Sequence, residues 1–151
     1  MSTNKKARLS RIIRDGRVLL LAMDQGMEHG PKDFNEKNIN PEYVLDIACK
    51  GGFTGLAIHK GIAYHYRENY SGKVPLILKL NGRTSIVPKD SIYSSPVATV
   101  KEAVNLDADA IGYTLYVGSP HEAKMFHEFG MIRAECEDYG LPSIVWAYPR
   151  G

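Results

Sequence analysis

The sequence predicts an α/β protein built on a parallel sheet, and three observations predict it. Short runs rich in leucine or β-branched residues recur five times along 151 residues. Amphipathic stretches with helix punctuation separate them. No hairpin turn joins neighbouring runs, and strand–helix alternation without hairpins means parallel strands joined by crossovers.

The first run, residues 18–23, is nearly all apolar and ends at Asp24. That is the pattern of a parallel strand covered on both faces. Similar runs follow at 55–58, 76–80, 110–113 and 143–147. Between the first two, Asn40 caps a helix with Pro41 at its first position, running to Lys50 and ending at Gly51-Gly52. A short helix over 61–68 links the second and third strands, and residues 82–94 read as a long polar loop. Ser95 and Pro96 open the next helix, which runs through Asn105. Ser119, Pro120 and Glu122 make an S-x-x-E capping pattern with proline in the first turn. That helix runs to Tyr139 and stops at Gly140, suited to a left-handed cap. The basic N-terminal segment, Lys5-Lys6-Ala7-Arg8 with Arg11 and Arg14, reads as a solvated, partly frayed helix rather than a binding arm.

Composition narrows the function classes. Hydrophobic residues make up 44% and charged residues 24%, as in a globular domain. A net charge of +2 gives no argument for nucleic-acid or membrane-surface partners, and none is expected. Cys49 and Cys136 lie far apart, without C-x-x-C or Cys/His metal spacing, and are expected as reduced thiols. No metal or other cofactor is expected. There is no apolar run near the ~20 residues of a membrane span and no signal-peptide pattern, so a cytoplasmic location is expected.

A doubly wound sheet and a (β/α)8 barrel both fit the alternation. The first expects a glycine fingerprint after the first strand, and Asp24-Gln25-Gly26-Met27-Glu28-His29-Gly30 is not G-x-G-x-x-G. Polar residues stand at the carboxyl end of almost every strand: Asp24, Lys60, Asn81, Tyr116 and Tyr148. Barrel enzymes build their sites there, and a whole barrel takes roughly 250 residues. The expectation is one domain, residues 1–151, holding the first five strand–helix units of a TIM barrel, truncated before strand 6.

Several residue types there can carry chemistry. Asp24, partly desolvated after an apolar strand, can act as acid, base or hydroxyl ligand, or simply cap a turn. His29 can face the same mouth or face solvent. Period-two alternation puts Trp146 and Tyr148 on one strand face. Tyr148 can transfer a proton and Arg150 can hold a phosphate, or the three form a packed aromatic pair and a surface arginine. Lys60 is a candidate substrate contact. Lys79, in an otherwise apolar strand, either points into the site or pairs with a carboxylate across the barrel.

Four segments together resemble the archaeal-type class I fructose-bisphosphate aldolases. They are Leu21-Ala22-Met23-Asp24-Gln25-Gly26-Met27-Glu28-His29-Gly30-Pro31, Pro75-Leu76-Ile77-Leu78-Lys79-Leu80-Asn81-Gly82, Ala110-Ile111-Gly112-Tyr113-Thr114-Leu115-Tyr116-Val117-Gly118-Ser119 and Val145-Trp146-Ala147-Tyr148-Pro149-Arg150-Gly151. They occur in the family's order and spacing. The resemblance implies reversible, metal-free cleavage of fructose 1,6-bisphosphate to dihydroxyacetone phosphate and glyceraldehyde 3-phosphate through a lysine iminium. It implies a proton-transfer role for Tyr148, and an acidic role for Asp24 near the substrate hydroxyls and the carbinolamine. Trp146 would shape the floor. His29 and Arg150 would contact substrate, with Arg150 at a phosphate, and Gln25 would adjust hydrogen bonding on the substrate side beside Asp24, while Lys60 stays a substrate-binding candidate by its strand-end position. The family's Schiff-base lysine sits on a sixth strand, beyond these residues, so this chain alone is expected to lack turnover. Homo-oligomers are also implied. Two rivals stand beside this reading: a sibling aldolase or transaldolase acting on another sugar phosphate, and a non-catalytic half-barrel that serves as an assembly unit.

Overall fold

The computed structural model describes residues 2–28, 30–86 and 88–150. In chain order the strands are β1 (Leu20–Met23), β2 (Gly55–His59), β3 (Leu76–Lys79), β4 (Asn81–Gly82), β5 (Ser95–Pro96), β6 (Ala110–Val117) and β7 (Ser143–Pro149). The helices are α1 (Thr3–Ile12), α2 (Pro41–Lys50), α3 (Lys60–His65), α4 (Arg67–Tyr70), α5 (Val100–Asn105) and α6 (Glu122–Asp138).

One parallel sheet runs β1-β2-β3-β6-β7, each strand beside its predecessor in that series. A doubly wound sheet reverses its strand order at a switch point. This one does not, and it is a half-barrel. Register links Ala22 to Ala57, Ala57 to Ile77, Ile77 to Ala110 and Ile111 to Ser143. Side chains alternate between two faces, as strands require. One set, including Leu56, Ile58, Leu78, Ile111 and Tyr113, packs under the helices against Leu45, Ala63, Val100 and Met125. The other set, Ala57, Ile77 and Ala110, faces the barrel interior with Leu20, Ile144 and Trp146 beside it.

The N-terminal helix differs from the solvated segment expected. Ile12 is 1% exposed and packs against Ala57, Ile77 and Ala110, plugging the interior at its amino-terminal end. Burying one such side chain stabilises the fold by roughly 1.5–3 kcal/mol. Polar clamps add to it: Arg11 pairs with Asp109 at 2.5 Å, Lys5 pairs with Glu137 at 2.5 Å, and the Arg8 guanidinium donates to the Ala108 carbonyl. Lys5, Arg8 and Arg11 therefore serve docking.

Other departures have local causes. Residues 18 and 19 precede the ladder, which starts at Leu20. β6 continues four residues past 113, because Thr114 and Tyr116 are polar residues on the inward face while Leu115 stays buried outward. β4 and β5 form an antiparallel pair at the two ends of the 82–94 segment. The Leu80 carbonyl accepts from Val97 and Ala98 at 2.8 and 3.1 Å, which keeps 95–98 extended. Hence α5 starts at Val100 and not at Pro96, capped by a reciprocal pair: Glu102 N–H donates to Thr99 Oγ1 at 3.2 Å and Thr99 N–H to Glu102 Oε2 at 2.8 Å. The short 61–68 helix is two, α3 and α4, broken at Tyr66. α6 begins at Glu122 with no side-chain cap, so the S-x-x-E box expected at Ser119 does not form: the Glu122 carboxylate accepts from the Gly118 N–H at 2.5 Å and the Ser119 hydroxyl donates to the Ile92 carbonyl. Asn40 caps α2 and Gly140 takes φ +60° after α6, as expected. Cys49 and Cys136 are both free thiols. Among the described residues no helix is long and apolar enough to cross a membrane.

Candidate active site

β1 delivers Asp24 one residue beyond its last register position. The chain then turns, and the Glu28 N–H donates to the Asp24 carbonyl at 3.0 Å. Lys79 ends β3 and points inward, 3% exposed. Its ammonium donates to Asp24 Oδ2 at 3.1 Å and to Thr114 Oγ1 at 2.9 Å, and Glu28 Oε1 lies 3.9 Å away. Trp146 lies below, its ring centroid 5.0 Å from Lys79 Nζ. Gly112 makes room for both: a Cβ there would meet the Trp146 ring at 2.6 Å and Lys79 Cδ at 3.2 Å. Asn81 fixes Thr114 in place. Its side-chain carbonyl accepts the Thr114 N–H at 2.7 Å, and its amide donates to the Thr114 carbonyl at 2.8 Å and the Ser94 carbonyl at 3.1 Å. A buried charged cluster is tolerable only when hydrogen bonds satisfy it in this way.

Toward the strand ends, Tyr116 and Tyr148 are register partners and stack, centroids 5.7 Å apart and planes at 27°. The Arg150 guanidinium carbon lies 4.9 Å from the Tyr116 centroid and 5.7 Å from that of Tyr148. Arg83, just after β4, lies 5.6 Å from the Tyr116 centroid. Gly118, at φ +85°, passes so close to the Arg150 carbonyl that a Cβ would sit 2.0 Å from it. Asp24, Glu28, Lys79 and Thr114 line a cavity of about 170 Å³, with Tyr116, Tyr148, Arg83 and Arg150 at its sides. Burial pushes the Tyr116 phenol up, and Glu28 pushes the same way, against the opposing pull of Arg83 and Arg150.

The remaining sequence candidates lie elsewhere. Gln25 lines a separate cavity of about 680 Å³ with Met23, Met27, His59, Ile62, His65 and Tyr66. Lys60 opens α3 on the helical layer and pairs with Glu102 of α5 at 3.0 Å, away from Asp24. His29 lies outside the described residues. Lys79 meets both of its sequence readings: it points into the cavity and pairs with Asp24 across the interior. Four residues at or beside the site were not singled out by sequence: Glu28, Arg83, Thr114 and His59. For Thr114 the signal was available, since it alternates with Tyr116 on one strand face. His59 ends β2, and burial, with the Lys79 ammonium nearby, lowers its imidazole to about 4. Among the described residues, no three His, Cys, Asp or Glu side chains gather to hold a metal ion.

A family model described as DeoC/LacD family aldolase matches residues 18–151. The class 1 fructose-bisphosphate aldolase of Thermoproteus tenax is 46% identical over 140 residues, covering 91% of this chain and 52% of that protein. The enzyme of the same name from Halobacterium salinarum is 44% identical over 144 residues, covering 94% of this chain and 54% of that protein. A solved structure described as the Schiff base forming fructose-1,6-bisphosphate aldolase superposes with a TM-score of 0.88 at 43% identity, over 97% of this chain and 58% of that one. The chain spans about half the length of the curated relatives it matches.

Proposed function

Because the chain belongs to the DeoC/LacD aldolase family, we propose that it forms the first five strand–helix units of a class I fructose-bisphosphate aldolase barrel. The observation that carries this reading is the convergence of Asp24, Lys79, Thr114, Tyr148 and Arg150, from β1, β3, β6 and β7, around one cavity at the strand carboxyl ends. In this reading the Schiff-base lysine stands on a sixth strand outside these 151 residues. Lys79 is unsuited to that role, since its ammonium is committed to Asp24 and Thr114 with Glu28 beside it.

The iminium formed on the ketose C2 accepts the electron pair released when C3–C4 breaks. For that bond to break, the C4 hydroxyl must lose its proton, and C3 must later gain one. In this reading Tyr148, at the mouth and 43% exposed, moves these protons. Asp24, held by Lys79, accepts hydrogen bonds from substrate hydroxyls and from the carbinolamine. Trp146 forms the floor, and Arg150 meets a phosphate. His29 joins the substrate side in this proposal, whereas Gln25 and Lys60 act at a distance from the cluster.

Borohydride trapping tests the assignment. Incubated with dihydroxyacetone phosphate and borohydride, the 151-residue chain is expected to keep its 16.8 kDa mass. A full-length protein is expected to gain one reduced ketose adduct, on a lysine beyond residue 151, and to cleave fructose 1,6-bisphosphate. An adduct on Lys79 or Lys60 would overturn the placement of the nucleophile. Cleavage of a different sugar phosphate instead would favour a sibling enzyme.

A further inference from the structure

We propose that His59 is a positioning residue: its imidazole, turned onto Gly82, leaves open the lane along which Lys79 crosses β2 to Asp24, and walls that ion pair off from the cavity behind it. As a statement about catalysis this rests on the aldolase reading above.

Register brings the three side chains together. His59 is the register partner of Lys79. Asp24 follows Met23, whose partner Ile58 precedes His59. Ala57 faces the interior, so period two turns His59 the same way. Carboxylate, imidazole and ammonium therefore stand at the ends of three neighbouring strands, with the imidazole in the middle. Yet Lys79 Nζ reaches Asp24 Oδ2 at 3.1 Å. Adjacent strands lie roughly 4.8 Å apart, so the lysine spans about twice that and passes over the middle strand.

Gly82 lets the ring lean out of the way. A Cβ there would sit 2.9 Å from His59 Cε1, 3.3 Å from Nε2 and 2.6 Å from Met27 Sδ. The imidazole thus rests on the bare backbone of β4, beside Met27 of the turn that follows β1. No hydrogen bond pins it: both ring nitrogens are buried without a partner, although the Lys79 backbone approaches. What holds the ring is packing, so a change in packing can displace it. Burial, and then the Lys79 ammonium, lower the imidazole to about 4, with Asp24 pulling the other way. At neutral pH the ring therefore brings no charge to compete for the Asp24 carboxylate. On its other side lies the cavity of about 680 Å³ that Gln25 and Tyr66 border. A ring in that wall keeps water from the ion pair, and an unscreened pair attracts more strongly. Asp24 held in this way meets the substrate hydroxyls and the carbinolamine at a fixed angle, so His59 acts on the reaction through Asp24.

The test is made on the full-length protein with Gly82→Ala, His59→Ala and the double variant, following kcat, KM and melting temperature. Gly82 is not among the glycines with positive φ, so alanine fits its backbone. Met27 meets the new methyl with the flexible end of its side chain and can yield. The His59 ring yields only into the lysine's lane. Gly82→Ala is expected to lower kcat at least about tenfold, with a smaller change in KM, because a misplaced catalytic group slows the steps after binding. His59→Ala loses the wall but keeps the lane, and is expected to lower kcat about threefold. In that background Gly82→Ala is expected to cost no more than about a further twofold, a non-additivity that a purely structural glycine would not show. An equal loss from Gly82→Ala with and without the His59 ring would overturn the proposal, as would a kcat within about twofold of wild type in folded Gly82→Ala. If Gly82→Ala does not fold, a folded double variant supports the clash with the ring, and failure of both overturns it. Melting temperatures run the same cycle without turnover. A non-additive cycle there in a protein that does not cleave fructose 1,6-bisphosphate would keep the placement of His59 and reject the aldolase assignment.

Discussion

At the scale of single residues, Lys79 carries the most consequence. One ammonium, 4% exposed, lies among side chains of Asp24 and Glu28 that are 15% and 7% exposed. Removing one partner of a buried ion pair leaves uncompensated charge, at a cost of about 3–5 kcal/mol. Lys79→Met is expected to lower stability by that amount in urea titrations, and adding Asp24→Asn and Glu28→Gln should recover most of it. A loss under about 1 kcal/mol would mean that water already screens the cluster. His59 gives a pH signature. Its imidazole takes a proton near pH 4 when folded but near 6.5 in an unfolded chain. Between those values the unfolded state holds more protons, so stability falls as pH drops through that window, by on the order of 3 kcal/mol. Melting temperatures of wild type and His59→Gln should diverge across it; parallel profiles would show that His59 titrates normally. Strand-end position and period were enough to pick out Asp24, Tyr148 and Arg150, which border the cavity, and Trp146, which lies against Lys79. Arg83 lies in what reads as a long polar loop, and its approach to within 5.6 Å of the Tyr116 ring is a long-range contact that linear pattern does not reveal.

At the scale of elements, the short apolar runs located every strand of the parallel sheet, but their ends were harder. A strand that lines a polar interior stops looking like a strand before it stops being one, as β6 does after Tyr113. The start of α5 was misplaced for a different reason. Ser-Pro is a sound helix opening locally, yet the Leu80 carbonyl captures Val97 and Ala98 and holds that stretch extended. Tertiary contact overrode local propensity there. The cap at Thr99 has a measurable worth. Thr99→Ala removes the arm in which Thr99 Oγ1 accepts from the Glu102 N–H, leaving the backbone arm in place, and is expected to cost about 1 kcal/mol. Urea midpoints would read the change, and Thr99→Ser should restore most of it. No change in the midpoint would mean that packing of Val100 and Ala103 alone holds α5.

At the scale of the whole molecule, the barrel was legible because its logic is repetitive: an apolar strand, a polar end, a capped helix. The role of the N-terminal helix was not legible. Its composition is that of a solvated segment, and one isoleucine with two charge pairs turns it into the floor of the interior. The strictly sequential strand order has a consequence for synthesis. Each new strand of the parallel sheet finds its partner already made, so the sheet can grow at one margin as the ribosome extends the chain. The first helix is the exception. Arg11 must wait for Asp109 and Lys5 for Glu137, so α1 is locked in place only after the chain has been made through Glu137.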